Sequence, residues 1–183
     1  AQGVAFGAKS LGMQSYIVMP ITTPPIKVNS VKNYGGKIIL HGDNFDEAYA
    51  HANKLAQKEG YTFIHPYDDK DVIAGQGTVG KELIEQVKGG IDAIFVPVGG
   101  GGLLAGLGTY VKALSPKTRI IGVEPEDAAC LKLALDNNKR LSLKEVGLFA
   151  DGVAVKQIGK ETYSLIKEWI DDVVTVSVDE MCA

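Results

Sequence analysis

Four consecutive glycines, residues 99–102, separate the apolar run 94–98 from an amphipathic segment that begins at Leu103. Few folds accommodate this arrangement. Each glycine gives up more backbone freedom on folding than another residue would, so four in a row imply close backbone approach or repeated positive φ. A short apolar run bounded by such punctuation reads as a buried strand. Leu103, Leu107, Tyr110, Val111 and Leu114 then recur near a 3.6-residue period, so a helix follows and ends at Pro116. A helix opening directly from the loop turns its unpaired N–H groups and positive dipole end towards it, which makes a cradle for an anion. A tight strand-to-helix turn with no ligand is the plain alternative.

The same alternation runs through the whole chain. Val4, Ala8 and Leu11 mark a helix stopped by Gly12, and residues 16–19 read as a strand closed by Pro20. Thr23 is the expected N-cap of a second helix, with Pro24 at its first position, Val28 and Val31 inward and Gly35-Gly36 at its end. Residues 37–40 form a strand. Asp46 and Glu47 open a third helix, which carries Ala48, Ala52, Leu55 and Ala56 inward and stops at Gly60. Residues 61–64 read as a further strand before Pro66. The polar turn 67–71 marks a boundary, giving a small α/β domain over residues 1–68 and a larger one over 69–183. There, residues 74–78 lead into a helix with Val79, Leu83 and Val87 on one face. Strand 93–98, the glycine loop and its helix, strand 119–123, helix 131–135, a loop over 141–151, helix 162–170 and strand 173–178 follow. Several strands are continuous apolar runs, as parallel strands buried on both faces require. The expected fold class is α/β, with two doubly wound parallel-sheet units.

Several function classes are disfavoured. A net charge of −3 over 183 residues offers no basic footprint for nucleic acid or an anionic membrane. No apolar run approaches the ~20 residues of a membrane span. Cys130 and Cys182 form no CxxC pair and are expected to be buried, inert thiols in a reducing cytoplasm. His41, His51 and His65 share no metal-ligand spacing, so they are read as surface or packing residues and no metal site is expected. The chain opens at Ala1 already in helical phase and stops at Ala183 after a strand-like run. It is therefore expected to be the middle of a longer protein, truncated at both ends.

Three phosphate ligands compete for the loop. A nucleotide P-loop requires a lysine where Leu107 stands. A dinucleotide fingerprint fits Gly100, Gly102 and Ala105, with Glu124 at the end of the next strand as the ribose-binding acid of an NAD-dependent oxidoreductase. A compact phosphate monoester, held by successive amides as pyridoxal phosphate is, fits equally. Spacing leaves the last two open.

The stretch Val96-Pro97-Val98-Gly99-Gly100-Gly101-Gly102-Leu103 resembles the phosphate loop of pyridoxal-phosphate enzymes of the tryptophan-synthase β (fold type II) family. More narrowly, the chain is similar to threonine dehydratases (threonine ammonia-lyases) of the isoleucine-biosynthetic type. Matching stretches are Ala1-Gln2-Gly3-Val4-Ala5, Ile17-Val18-Met19-Pro20, Phe45-Asp46-Glu47-Ala48 and Val72-Ile73-Ala74-Gly75-Gln76-Gly77-Thr78. The stretches from Val123 to Lys132 and from Gly147 to Lys156 match as well, so the resemblance covers essentially the whole chain. Serine racemases and serine dehydratases share the glycine loop, and the sequence around Cys130 and Phe149 leans to the biosynthetic enzymes.

The resemblance implies a cytoplasmic, homo-oligomeric lyase of branched-chain amino-acid biosynthesis that converts L-threonine, with serine as the alternative substrate, to 2-oxobutanoate and ammonia. It implies pyridoxal 5'-phosphate as cofactor, its phosphate held by Gly99, Gly100, Gly101, Gly102 and Leu103. The lysine that holds the cofactor is expected upstream of Ala1, so no catalytic residue is assigned within these residues and the piece alone is expected to be inactive. Gln2 is a candidate for the substrate carboxylate, and Gly152 for close passage of the backbone by the cofactor. Glu124 and the Ala128 carbonyl match cation-binding positions of related racemases. The carboxylate expected two residues later is Cys130, a poor ligand for a hard divalent cation, which leaves a monovalent ion as the alternative. Lys81 is expected to be solvated. A non-catalytic module that kept the fold is the third reading, beside the lyase and the oxidoreductase.

Overall fold

The computed structural model describes residues 1–147 and 149–183. Leu148, inside the expected loop and the Gly147-to-Lys156 match, lies outside the described residues. The chain divides into two units, Ala1–Ile64 and His65–Ala183. In the second unit, Asp68 bonds to the Lys160 N–H and Tyr67 packs on the glycine loop.

In the first unit, α1 (Gln2–Ser10), β1 (Tyr16–Met19), α2 (Pro25–Asn33), β2 (Lys37–Leu40) and α3 (Phe45–Glu59) alternate. β1 and β2 pair in parallel, with Tyr16 opposite Lys37 and Met19 opposite Leu40. Ala5, Ile17, Met19 and Val31 form the core, flanked by Val4, Val28 and Ile38. Of the residues that marked α1, Leu11 is exposed, and Ala5 is buried beside them. α2 starts one position later than expected, with Pro24 rather than Thr23 at the cap. The Asn44 side chain caps α3 by accepting from the Glu47 N–H at 3.1 Å, and Gly60 ends it at φ +70°. Residues 61–64 form no strand. Tyr61 instead donates its N–H back to the Ala56 carbonyl at the end of α3 and stacks its ring on Tyr16, with centroids 4.9 Å apart.

The second unit contains α4 (Lys70–Gln86), β3 (Ala93–Pro97), α5 (Gly102–Leu114), β4 (Arg119–Pro125), a 3₁₀ turn (Glu126–Ala128), α6 (Cys130–Asp136), α7 (Lys160–Ile166), β5 (Asp172–Val176) and α8 (Val178–Cys182). The strands form a parallel sheet in the order β3-β4-β5, with Ala93 opposite Arg119 and Val123 opposite Val174. Parallel neighbours need long crossovers, and the intervening helices supply them. Val96, Val98, Leu104, Leu107, Val111, Ile120, Leu131, Ile158 and Ile166 are core residues. At one edge of the sheet, the Asp171 carboxylate accepts from the Ile120 N–H at 2.6 Å and pairs with Lys112 at 2.7 Å.

α4 departs most from the sequence reading. It begins at Lys70, not after Thr78, because the Asp69 carboxylate accepts from the Asp71 and Val72 N–H groups at 2.9 and 3.1 Å. Its buried face is Ile73, Gly77 and Gly80, while Val79 and Val87 are exposed. The glycines lie against α5. A Cβ on Gly77 would sit 3.2 Å from the Gly106 carbonyl oxygen, and one on Gly80 2.9 Å from that of Leu107. α7 is shorter than residues 162–170, and β5 ends at Val176. α8 then follows through a capping box, the Glu180 N–H on the Ser177 hydroxyl at 3.2 Å and the Ser177 N–H on the Glu180 carboxylate at 2.8 Å.

Candidate functional site

The glycine loop is built within the second unit, at the carboxyl end of β3. Val98 still pairs with β4, its N–H reaching the Val123 carbonyl at 2.9 Å. α5 opens at Gly102 behind Gly101, whose φ of +88° is a left-handed conformation that glycine takes without strain. The loop carbonyls turn into the protein. Gly99 accepts from the Cys130 thiol at 3.4 Å, and Gly100 from the Thr162 hydroxyl at 2.8 Å and the Gly159 N–H at 3.2 Å. Gly101 accepts from the Ala105 N–H at 2.8 Å. In a planar trans peptide the N–H points opposite to the C=O, so the amides of Gly100, Gly101 and Gly102 face the other way. Among the described residues, the N–H groups of Gly99, Gly100, Gly101, Gly102 and Leu103 have no protein acceptor.

The missing Cβ atoms serve the protein side of this loop. A Cβ on Gly100 would fall on the Tyr67 ring, and one on Gly102 would lie 3.0 Å from the Tyr67 Cβ. Gly99 lies against Val153, where a Cβ would approach the Cα to 3.0 Å, and Gly101 lies against Ile158. A tightly packed turn and a set of amides without a protein acceptor are thus combined in one loop. One side packs against Tyr67, Val153 and Ile158 and the other presents amides.

A second set of bonds supports the first. The Asp68 carboxylate accepts from the N–H groups of Lys160 and Glu161 at 2.8 Å each and of Thr162 at 3.2 Å, satisfying the first turn of α7. His65 Nδ1 accepts from the Asp68 N–H at 2.8 Å and the Tyr67 N–H at 3.2 Å, which requires that nitrogen to be unprotonated. Burial holds the His65 pKa below its ordinary value. Sequence reading passed over Asp68 and Thr162. The partners are backbone groups more than sixty positions away, which no local pattern marks.

Glu124 is fully buried, its oxygens accepting from the Leu131 and Lys132 N–H groups at 2.7 and 2.8 Å. It caps α6 from β4. Burial pushes its carboxyl pKa up, and the two amide bonds act against that rise. A carboxylate so engaged does not face a ribose, which removes the acid on which the dinucleotide reading depended. Burial, with the Glu124 carboxylate beside it, pushes the Cys130 thiol up to about 12. Cys182 is exposed rather than buried as expected, because it lies on the terminal helix α8.

The weaker candidates fare unevenly. Gln2 is exposed on the first turn of α1. Gly152 has open space where its Cβ would be, and its neighbour Val153 lies against Gly99. Lys81 pairs with Glu85 at 3.3 Å on the exposed face of α4. His41 and His51 stack on each other with centroids 3.9 Å apart. Among the described residues no group of three His, Cys, Asp or Glu side chains could hold a metal ion, and no helix is long and apolar enough to cross a membrane.

The donor set fits a phosphate monoester. Neutral amides without a protein acceptor and the positive end of α5 would suit a compact dianion, and a backbone without Cβ atoms would let it approach. A parallel α/β unit with such a loop at a strand's carboxyl end is an arrangement suited to a phosphate-bearing ligand. Residues 1–183 match the model of the family described as pyridoxal-phosphate dependent enzyme, and the chain belongs to that family.

Within it, the chain is 52% identical to the biosynthetic L-threonine dehydratase of Burkholderia multivorans over all of its own length and 37% of the relative's. It is 57% identical to the chloroplastic biosynthetic threonine dehydratase 1 of Solanum lycopersicum, covering all of this chain and 30% of that one. The solved structure of the processed form of threonine deaminase isoform 2 from Solanum lycopersicum superposes with a TM-score of 0.90 at 48% identity, over 96% of this chain and 51% of that one. The chain spans about a third of the length of the curated relatives it matches. The resemblance read from the glycine loop and its companion stretches therefore holds across the chain, and the fold is the parallel α/β fold of the threonine deaminases.

Proposed function

We propose that this chain supplies the cofactor-phosphate site of a pyridoxal 5'-phosphate-dependent threonine ammonia-lyase, which converts L-threonine to 2-oxobutanoate and ammonia. The observation that carries the reading is the orientation of the glycine loop, with its carbonyls bonded inward and the amides of Gly99, Gly100, Gly101, Gly102 and Leu103 left for a ligand. Similarity to the biosynthetic threonine dehydratases supports the substrate. When bound, the cofactor's ring supplies an electron sink for the charge that develops at the substrate Cα.

Gly99 to Leu103 fix the phosphate by successive N–H donors, and α5 adds its dipole. By holding the phosphate in one orientation, the loop would also orient a proton donor for the departing hydroxyl. Gln2 is proposed as a contact for the substrate carboxylate. The two structural units are proposed to correspond to the small and large domains expected from sequence. Branched-chain amino-acid biosynthesis, a cytoplasmic location and homo-oligomeric assembly complete the proposal, with serine as the competing substrate.

The test is Gly101→Val in the full-length protein. A Cβ there meets Ile158, and φ of +88° is strained for valine. Cofactor retention on gel filtration should fall at least tenfold, and 2-oxobutanoate release from threonine should fall with it. Retention equal to the parent's would overturn the site. Faster turnover of serine than of threonine by the parent would overturn the substrate assignment alone.

A further inference from the structure

We propose that Thr162 is a positioning residue for the phosphate-binding loop, holding the Gly100–Gly101 peptide in the orientation that presents the Gly101 amide to the cofactor phosphate. The inference rests on the proposed phosphate site. Thr162 is fully buried and its hydroxyl donates to the Gly100 carbonyl at 2.8 Å. The only other donor to that oxygen among the described residues is the Gly159 N–H at 3.2 Å. Carbonyl and amide are opposite ends of one rigid plane, so fixing the first fixes the second.

The alternative orientation is accessible to this sequence. With glycine on both sides of the peptide, half a turn of the plane meets little steric resistance. Such a flip would carry Gly101 from φ +88° to the negative side and point a carbonyl oxygen, not an N–H, at an incoming dianion. The two donors oppose it, because a flip would take the acceptor away from the buried Thr162 hydroxyl and turn the Gly101 N–H towards the Gly159 N–H, which cannot accept. Thr162 is itself held in place. Its N–H and those of Glu161 and Lys160 are bonded to the Asp68 carboxylate, which fastens the first turn of α7 behind the loop. Asp68 and Thr162 thus act through the carbonyl side of the loop, opposite the Gly101 amide.

The test compares two ligands in the full-length protein stripped of cofactor, pyridoxal 5'-phosphate and pyridoxal, which lacks the phosphate. Thr162→Val keeps the shape and removes the donor. Loss of one hydrogen bond of ordinary net worth should weaken pyridoxal 5'-phosphate about 3- to 10-fold, leave pyridoxal within twofold, and be reversed in Thr162→Ser. Should the valine variant not fold, Thr162→Ala is measured against Thr162→Ser in the same way. Equal weakening of both ligands, or no weakening of either, would overturn the role of Thr162. Gly101→Val separates the two readings. If it weakens pyridoxal 5'-phosphate while Thr162→Val does not, the site stands and the positioning role falls. If Gly101→Val also leaves the affinity unchanged, the site itself falls, and the positioning role with it.

Discussion

Replacing Gly106 by alanine should destabilise the protein, although alanine is the better helix former. Gly106 lies in the first half of α5, where the helix crosses α4. A Cβ there would collide with the Ile73 carbonyl oxygen and stand 2.7 Å from the Gly77 nitrogen and 2.8 Å from the Gln76 Cβ. Comfortable contacts of this kind lie at about 3.5–4.0 Å, and the obstructing atoms are mostly backbone. The helices must therefore separate by roughly 1 Å, a gap that forfeits a quarter to a half of the dispersion attraction along the seam. Overpacking of this type costs about 1–3 kcal/mol, and the rigid backbone places this case at the upper end. The helix propensity of alanine returns about 1 kcal/mol, so the net loss is about 2 kcal/mol. Gly75 on α4 is the control. It is exposed, has no positive φ and has nothing within 4 Å of its Cβ position. Gly75→Ala should gain up to about 1 kcal/mol. At about 2–4 °C per kcal/mol for a chain of this size, thermal unfolding should separate the two variants by roughly 6–12 °C. Moving the first turn of α5 also moves the loop amides, so Gly106→Ala should lose cofactor affinity while Gly75→Ala keeps it. Shifts of the same sign and size in both variants would refute the packing argument.

Other consequences are equally open to measurement. Asp68→Ala removes the acceptor of three α7 amides and should cost about 1–2 kcal/mol, with faster hydrogen exchange at Lys160, Glu161 and Thr162 and little change in α4. The His65 pKa is depressed in the folded protein, so its contribution is present above its ordinary value of about 6.5 and lost as pH falls through the lower folded value, where Nδ1 can no longer accept from Tyr67 and Asp68. His65→Gln should flatten that acid limb of the stability profile, and an unchanged limb would exclude His65 as its source. A thiol reagent at neutral pH should label exposed Cys182 and spare buried Cys130, whose thiol is pushed up to about 12, with both labelled after unfolding. Peptide mapping reads this directly, and rapid native labelling of Cys130 would contradict the burial.

Much of the architecture was legible locally. The strands 16–19 and 37–40 read as apolar runs, α3 as Asp46 and Glu47 at one end and Gly60 at the other, and the loop before α5 as glycines after a strand. Such signals act between residues no more than about four apart, so the sequence exposes them. Two local signals were present but missed. Asp69 as a cap moves the start of α4 back to Lys70, and Ser177 with Glu180 three residues later opens α8. The glycines at 75 and 77 obscured the first, because glycine in isolation argues against a helix. The family resemblance added the cofactor, which spacing alone had left undecided between a dinucleotide and a phosphate monoester.

By itself, then, the sequence determined the alternation of strand and helix, the glycine loop at the end of β3 and the family to which the chain belongs. Tertiary structure decided what the loop is built against and which way its peptides face. Thr162 reaches Gly100 across 62 positions, and Asp68 reaches α7 across more than ninety. Glu124 was a ribose-binding candidate by position and became the cap of α6 because β4 delivers it, fully buried, to two unpaired amides. Gly77, Gly80 and Gly106 carry no signal of this packing in the sequence and form the surface on which α4 and α5 meet. The physical reason is common to all of these. A hydrogen-bond donor or a missing Cβ has no meaning until the fold brings its partner within about 3 Å, and no periodicity along the chain encodes that partner.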